Sequence, residues 1–407
     1  MARISRRHFF QFAGSTLATL GLSQLNIHRQ ASESYGKVLA QRTPRKIALL
    51  VGINKYSSQP LRGCISDVEL QRHLLIHRFG FNPKDIYTLT DEKATRSGIL
   101  EAFEEHLIKQ AKPGDVVVYH YSGHGSRVLD PDPIVVSSSN DKNGLNGTFV
   151  PVDASLPAGY PEQGGVVKDI MGHTLFLLMS AVKSENFTAV LDSCYSGGAT
   201  RDRRVRSRDG GSKVQISPEE KSYQEKWLSR LNLSREEFVR QYRAGVAKGV
   251  VLAAADPNQT AMDVSVNGFY AGAFTYRLTQ YLWQQTSTVE NAIAKVTQDM
   301  PQYYNQTPRY EVKVGSGYEK QPIYFINSPN FSANAVITDV KGNQATLWLG
   351  GFDEEGLAEL DNGTVFTITD AKQLSSGKVT LRSRDGLIGI ATVEGVVAPG
   401  TLLRKID

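Results

Sequence analysis

Two stretches decide how this chain reads: Asp115-Val-Val-Val-Tyr-His-Tyr-Ser-Gly-His124-Gly-Ser126 and Phe187-Thr-Ala-Val-Leu-Asp-Ser-Cys194-Tyr-Ser-Gly197. Each opens with an apolar, partly β-branched run bounded by turn residues, which predicts a buried strand. Each then stops at a reactive side chain. In an open α/β sheet the loops beyond the carboxyl ends of the strands leave a crevice, so His124 and Cys194 can share one site despite their separation in sequence. A free thiol is mostly protonated at neutral pH and gains nucleophilicity when an adjacent base or cation favours the thiolate. His124 is the natural partner. Glycines on both sides of it suit a tight loop whose backbone N–H groups approach a substrate carbonyl, an oxyanion-hole composition that points to the amides of Gly125 and Cys194.

Working outward, strands are expected at 47–53, 86–89, 115–121, 148–152 and 187–192, and helices near 67–78, 97–111 and 169–182. This alternation predicts a parallel sheet of α/β class. Residues 131–146 read as a long loop overhanging the site. The run from Ala199 to Ser217 interleaves Arg201, Arg203, Arg204, Arg206 and Arg208 with Asp, Ser and Gly and reads as a solvated linker. Residues 218–245 read as a helical insertion. A strand at 249–254, helices at 271–284 and 288–300 and a closing strand at 322–325 complete a smaller half. Beyond residue 328 the texture changes to short alternating segments with Gly-Asn and Asp-Gly turns, the pattern of a small all-β barrel or sandwich.

Six short runs in a fixed order resemble the caspase-like cysteine peptidases of the metacaspase and orthocaspase branch: Lys46–Tyr56, Leu61-Arg-Gly-Cys64-Ile-Ser-Asp67, Tyr121-Ser-Gly-His124-Gly-Ser, Val150-Pro-Val-Asp153, Asp192-Ser-Cys194-Tyr-Ser-Gly197 and Gly272-Ala-Phe-Thr-Tyr276. The resemblance implies a caspase-hemoglobinase fold, with a mostly parallel sheet of about six strands flanked by helices, and a His124–Cys194 dyad. It also implies that Cys64, Asp67, Ser122 and Asp192 line the pocket for the side chain before the scissile bond. Two carboxylates there suit arginine or lysine, because charge-assisted bonds to a guanidinium are strong and often bidentate. An enzyme with that preference is expected to cut itself after one of the five linker arginines, whose tether supplies a high local concentration.

Relatives of this kind often depend on calcium held by acids between the His and the Cys and just after the Cys. Here Asp153 matches one such region, but Lys168-Asp169 replaces two adjacent acids and Arg201 falls where another acid is usual. Carboxylate count largely sets affinity for this hard cation, so no required cofactor and no strong metal site is expected. His73 and His77 are spaced i, i+4 but lack the Glu of a zinc motif and read as a solvated helix face. Gly123-His-Gly125 is not followed by a helix and carries no dinucleotide signal.

The first 40 residues read as a leader. Ser5-Arg6-Arg7-His8-Phe9-Phe10 precedes an uncharged, weakly hydrophobic stretch, and Val38-Leu39-Ala40 offers small residues for a signal peptidase. This is the twin-arginine export pattern, to a periplasm or, in a cyanobacterium, a thylakoid lumen. The chain of 407 residues has 46 basic and 41 acidic residues, but the leader holds five of the basics and one acid, leaving +1. A basic balance that vanishes with the leader gives no reason to expect nucleic-acid or membrane partners. Only Cys64 and Cys194 are present, so there is no disulfide framework, although a bond between them would silence the site. The expected organisation is a leader over 1–40, a peptidase domain over 41–327 and a β domain over 328–407, acting as a monomer on proteins or peptides with Arg or Lys before the cut bond. Within 41–327 the large half ends near 198, the linker spans 199–217, the insertion 218–245 and the small half 246–327. The alternatives are a fold-retaining interaction protein that binds through its β domain, and a thiol hydrolase specific for Lys or Asn.

Overall fold

The computed structural model describes residues 44–134, 144–194, 205–327, 332–369 and 376–406. Strands β1 (Lys46–Gly52), β2 (Ile86–Thr90) and β3 (Val116–Ser122) enter the central sheet, while β4 (Gly125–Leu129), β5 (Leu145–Phe149), β6 (Gly165–Val167) and β7 (Ile170–Met171) belong to a smaller one. Strand β8 (Phe187–Asp192) returns to the central sheet and β9 (Gly211–Ile216) to the small one. Strand β10 (Val250–Ala253) follows in the central sheet, a hairpin forms from β11 (Asp263–Val266) and β12 (Phe269–Gly272), and β13 (Arg309–Val312) closes the edge. The central order is β13-β10-β8-β3-β1-β2, parallel except for β13. This is the α/β class and strand number expected.

Strands buried on both faces read as continuous apolar runs. All seven residues of β3 and all six of β8 are buried. Alternation sends Ile47, Leu49 and Val51 into one core and Ala48 and Leu50 into the other. On the second face lie α1 (Cys64–His77), which contributes Val68, Leu70, Leu74 and Leu75, and later the helix over Ala273–Gln284. On the first lie α2 (Arg96–Ala102), extended by a wider turn over Phe103–Ile108, and α3 (Gly172–Ala181), with α4 (Pro218–Arg230) and α5 (Arg235–Arg243) of the insertion outside them. Helices α6 (Ala273–Gln284) and α7 (Val289–Gln298) belong to the smaller half. The insertion helices start where their sequence says they should. Ser217 and Ser234 accept from the amides of Glu220 and Glu237, and Pro218 opens α4.

Three expectations about the peptidase domain are corrected first. Residues 322–325 are not a strand: Ile323–Phe325 is a 3-10 turn with Tyr324 at φ 55°, and β13 takes the edge instead. The expected strand at 148–152 lies earlier, at Leu145–Phe149, in the five-stranded sheet β6-β9-β4-β5-β7. Most consequential, the end of the basic run is not solvated. Arg206 and Arg208 are buried, and Gly211–Ile216 is a strand between β4 and β6. Arg201, Arg203 and Arg204 lie outside the described residues, as does the leader.

Strands β14 (Ala335–Lys341), β15 (Gln344–Trp348), β16 (Val365–Ile368), β17 (Ser376–Asp385), β18 (Ile388–Val396) and β19 (Leu402–Lys405) form a closed barrel in the order β14-β15-β18-β17-β16-β19, with the short α8 (Glu354–Ala358) between β15 and β16. The barrel docks on α1 and α6. Tyr276 Oη donates to the Phe352 carbonyl at 2.9 Å, and the His73 ring stacks on Trp348 at 4.2 Å. His73 and His77 are therefore not a solvated face. They sit between Trp348 and Trp283, and burial pushes their pKa values down to about 3 and about 4.

A histidine whose folded pKa lies below its ordinary 6.5 resists protonation that the unfolded chain accepts. Its contribution is complete above pH 6.5 and is lost as pH falls toward the folded value. A His73→Gln, His77→Gln chain should melt lower than wild type at pH 7.5 yet lose a few degrees less between pH 7 and pH 5. Parallel melting curves across that window would show that the pair carries no such linkage.

Candidate active site

The registers Gly52↔Ser122 and Ser122↔Asp192 bring the carboxyl ends of β1, β3 and β8 level. The reactive groups follow immediately. His124 is 1% exposed; its amide donates to Tyr56 Oη at 2.9 Å and its Nε2 lies 2.7 Å from the Gln59 carbonyl. A carbonyl only accepts, so Nε2 carries the proton and Nδ1 keeps the lone pair. Among the described residues Nδ1 has no hydrogen-bond partner. Burial pushes the imidazole down to about 4 and the Cys194 thiol up to about 12. Both shifts favour the neutral forms over an ion pair.

What closes the site is the end of the basic run. Val205 bridges Met262 in antiparallel fashion, and the Arg206 amide donates to the Ala261 carbonyl at 2.9 Å. The Arg206 carbonyl accepts from the amides of Gly125 at 3.0 Å and Cys194 at 3.1 Å, the two expected oxyanion donors. Beyond it the Arg208 amide donates to the Gly125 carbonyl at 2.8 Å. Only glycine allows this passage at position 125, where a Cβ would stand 2.4 Å from the Cys194 carbonyl oxygen.

The Arg206 side chain enters a pocket built by all four residues expected there. Its Nη1 lies 2.7 Å from Asp67 Oδ2 and 3.3 Å from Asp192 Oδ1, and donates to Ser122 Oγ at 2.6 Å. Cys64 is fully buried beside Ser122, its thiol pushed well up by burial. Asp67 is not the N-cap of α1, a position held by Gly63; its Oδ1 accepts from the Gly272 amide at 2.9 Å and its Oδ2 from Ser122 Oγ at 2.7 Å. Asp192 Oδ2 accepts from the amide and hydroxyl of Thr275 at 3.0 and 2.6 Å. A Cβ at Gly272 would stand 2.2 Å from that oxygen, so the pocket wall tolerates no side chain there.

Sequence reasoning missed a third carboxylate. Asp263 Oδ1 lies 3.0 Å from Arg206 Nη2, and its two oxygens accept from the amides of Gly63 and Arg62 at 2.9 Å each. It belongs to no motif, and only the hairpin of β11 and β12 carries it to the pocket. Gln59 is equally silent, and the run Gly272–Tyr276, although part of the resemblance, gives no pocket role to Thr275 or to the Gly272 amide. Burial pushes Asp67 and Asp192 up, with Arg206 opposing. Burial also works against the Arg206 cation, but Asp192, Asp67 and Asp263 outweigh it and hold the guanidinium well above its ordinary range.

Of the positions considered for calcium, Arg201 lies outside the described residues, and Asp153 and Asp169 have other partners. Asp153 accepts from the Arg96 amide at 2.8 Å, and the buried Asp169 holds Arg208 through both oxygens at 2.9 and 2.7 Å. Among the described residues no three His, Cys, Asp or Glu side chains gather as a metal cage.

The caspase domain family matches residues 45–328. Metacaspase-1 of Schizosaccharomyces pombe is 28% identical over 298 residues, 65% of this chain and 66% of that protein. Metacaspase-1 of Scheffersomyces stipitis is 30% identical over 268 residues, 58% of this chain and 63% of that protein. The matches thus span just under two thirds of these relatives. The crystal structure of protein GSU0716 from Geobacter sulfurreducens covers 70% of this chain and 100% of its own at 21% identity, with a TM-score of 0.47. The family match runs over more than half of the sequence, and the chain belongs to the caspase domain family, where its relatives are metacaspases.

Proposed function

We propose that the chain is a cysteine endopeptidase that cleaves after arginine or lysine and that its first substrate is its own Arg206–Ser207 bond. One observation carries this reading: the Arg206 guanidinium fills a pocket of three buried carboxylates while its carbonyl accepts from the Gly125 and Cys194 amides. A peptide bound for hydrolysis needs both contacts at once.

In this scheme His124 Nδ1 takes the thiol proton as Cys194 Sγ attacks the Arg206 carbonyl carbon. The Gln59 carbonyl, bonded at Nε2, fixes the tautomer that makes Nδ1 the base and supports the imidazolium as it forms. The developing oxyanion stays on the Gly125 and Cys194 amides, which already point at it. Collapse breaks the C–N bond, and the amine of Ser207 leaves with the proton held by His124. A water deprotonated by the same nitrogen then hydrolyses the thioester and returns the thiol. The buried, neutral resting pair makes the first proton transfer uphill, so the closed chain is expected to turn over slowly until the covering segment is cut.

The test is a panel of peptides differing only in the residue before the scissile bond. Arg and Lys should be cleaved and Asp and Asn should not, with no turnover in Cys194→Ala. Asp263→Asn should cost about 2–4 kcal/mol in kcat/KM for Arg, the scale of losing one buried charge partner, and far less for any uncharged residue. Cleavage after Asn or Asp in preference to Arg would refute the pocket assignment, and an equal loss on all peptides would make Asp263 structural.

Export by the twin-arginine route is proposed on Arg6 and Arg7 and the weakly apolar stretch behind them. No helix among the described residues is long and apolar enough to cross a membrane. A reporter carrying residues 1–45 should be exported and should stay inside when both arginines become lysine. Unchanged export would end this part of the reading.

A further inference from the structure

The segment that fills the pocket continues past the bond proposed for cleavage, and its next cation is also buried against a carboxylate. Arg208 stands two residues beyond the Arg206 carbonyl. Its Nη1 donates to Asp169 Oδ1 at 2.9 Å and its Nη2 to Oδ2 at 2.7 Å, a two-pronged contact, with Nη1 also 3.4 Å from the Ala154 carbonyl. Backbone contacts keep the strand extended between the two arginines: Gly125 donates to the Arg206 carbonyl and accepts from the Arg208 amide.

Asp169 does not belong to the covering segment. It precedes β7, whose pairing with β5 sets Thr148 opposite Met171 and Phe149 opposite Ile170. Thr148 Oγ1 donates to Asp169 Oδ2 at 2.6 Å and fixes the carboxylate in place. The scaffold therefore holds this acid in position whether or not Arg208 occupies it. Burial pushes its pKa up and Arg208 opposes this, while the neighbouring buried Glu220 adds to the unfavourable field and is itself paired with Arg96. Emptied of its cation, the site would keep a desolvated carboxylate aimed at the leaving-group side of the cleft, a standing demand for another cation.

We propose that Asp169 is the floor of a second specificity subsite, which selects substrates with arginine two residues beyond the cut bond, so that the preferred sequence is Arg-X-Arg cleaved after the first arginine. This rests on the reading of Arg206 as the residue before the scissile bond. The fork of two parallel N–H donors matches the two carboxylate oxygens, so arginine is favoured over lysine and glutamate is rejected. The segment Arg206-Ser207-Arg208 is the chain's own copy of the motif.

The experiment uses internally quenched peptides that share arginine before the cut and carry Arg, Gln or Glu two residues after it. They are assayed on the wild-type chain, on Arg208→Gln, which leaves Asp169 without its internal cation, on Arg208→Lys, which keeps a cation there, and on Asp169→Asn. Each preference is a ratio of kcat/KM on one enzyme, so a loss of folded protein cancels. The Arg-over-Gln ratio is expected to be about tenfold or more in Arg208→Gln and Arg208→Lys, and to fall toward one in Asp169→Asn. A ratio near one in both Arg208 variants overturns the subsite. An arginine amide of aminomethylcoumarin has no residue beyond the cut; if it is hydrolysed while the ratio is near one, the subsite alone fails. If neither it nor any of the Arg peptides is cleaved, the reading of the Arg206 pocket fails and the subsite with it.

Discussion

Three carboxylates and one guanidinium, all fully buried, form the interaction on which the site depends. Asp67, Asp192 and Asp263 come from α1, the end of β8 and the start of β11, and Arg206 is the group that meets all three. Removing one partner of a buried ion pair costs about 3–5 kcal/mol, because the remaining charge is left without solvent or counterion. A pocket with three such acids therefore demands a cation. Its walls are built to the same end: the Gly272 amide, Thr275 and the Arg62 amide satisfy the carboxylate oxygens that Arg206 does not reach, Asp67 Oδ1, Asp192 Oδ2 and Asp263 Oδ2.

The demand for a cation couples recognition to closure. With Arg206 seated, its carbonyl lies on the Gly125 and Cys194 amides and the segment around it covers both reactive groups. That cover desolvates them, and desolvation pushes the imidazole down and the thiol up, away from the thiolate–imidazolium form that favours attack. In the proposed reading, the contact that presents the bond also keeps the nucleophile protonated. On the same reading, loss of the cover is expected to return water to the site and relax both shifts.

Much of this was legible in the sequence because strands buried on both faces leave an unambiguous apolar signal, because His124, Cys194 and Asp192 stand at or near strand ends, and because Asp67 lies in one of the runs that carry the resemblance. The parallel sheet, the insertion helices and a small all-β domain follow from local pattern, while the number of strands comes from the resemblance and local pattern leaves the closure of the barrel open. Asp263 was not legible as a pocket residue and Asp169 only as a position considered for calcium, since each is a single acid that reaches its arginine through pairing of short strands, β11 with β12 and β5 with β7. The edge strand β13, Arg309-Tyr-Glu-Val, is half exposed and charged, so it lacks the apolar run of its neighbours. The basic run misled for a related reason. Composition sees five arginines as a solvated stretch, and only three-dimensional placement shows two of them facing buried acids. The His73–His77 face was misread in the same way, because the tryptophan that covers it, Trp348, arrives from the β domain far along the chain.

The central claim is that Arg206 occupies the pocket as a substrate does. Intact mass spectrometry with N-terminal sequencing of the purified chain, beside Cys194→Ala, tests it directly. The account predicts a single cut that creates a new N-terminus at Ser207 in the wild type and none in Cys194→Ala, with the two pieces held together by the strands they share in one small sheet, β4 on one side of the cut and β9 on the other. A wild-type chain that stays whole on prolonged incubation, or is cut at bonds other than Arg206–Ser207, would contradict it.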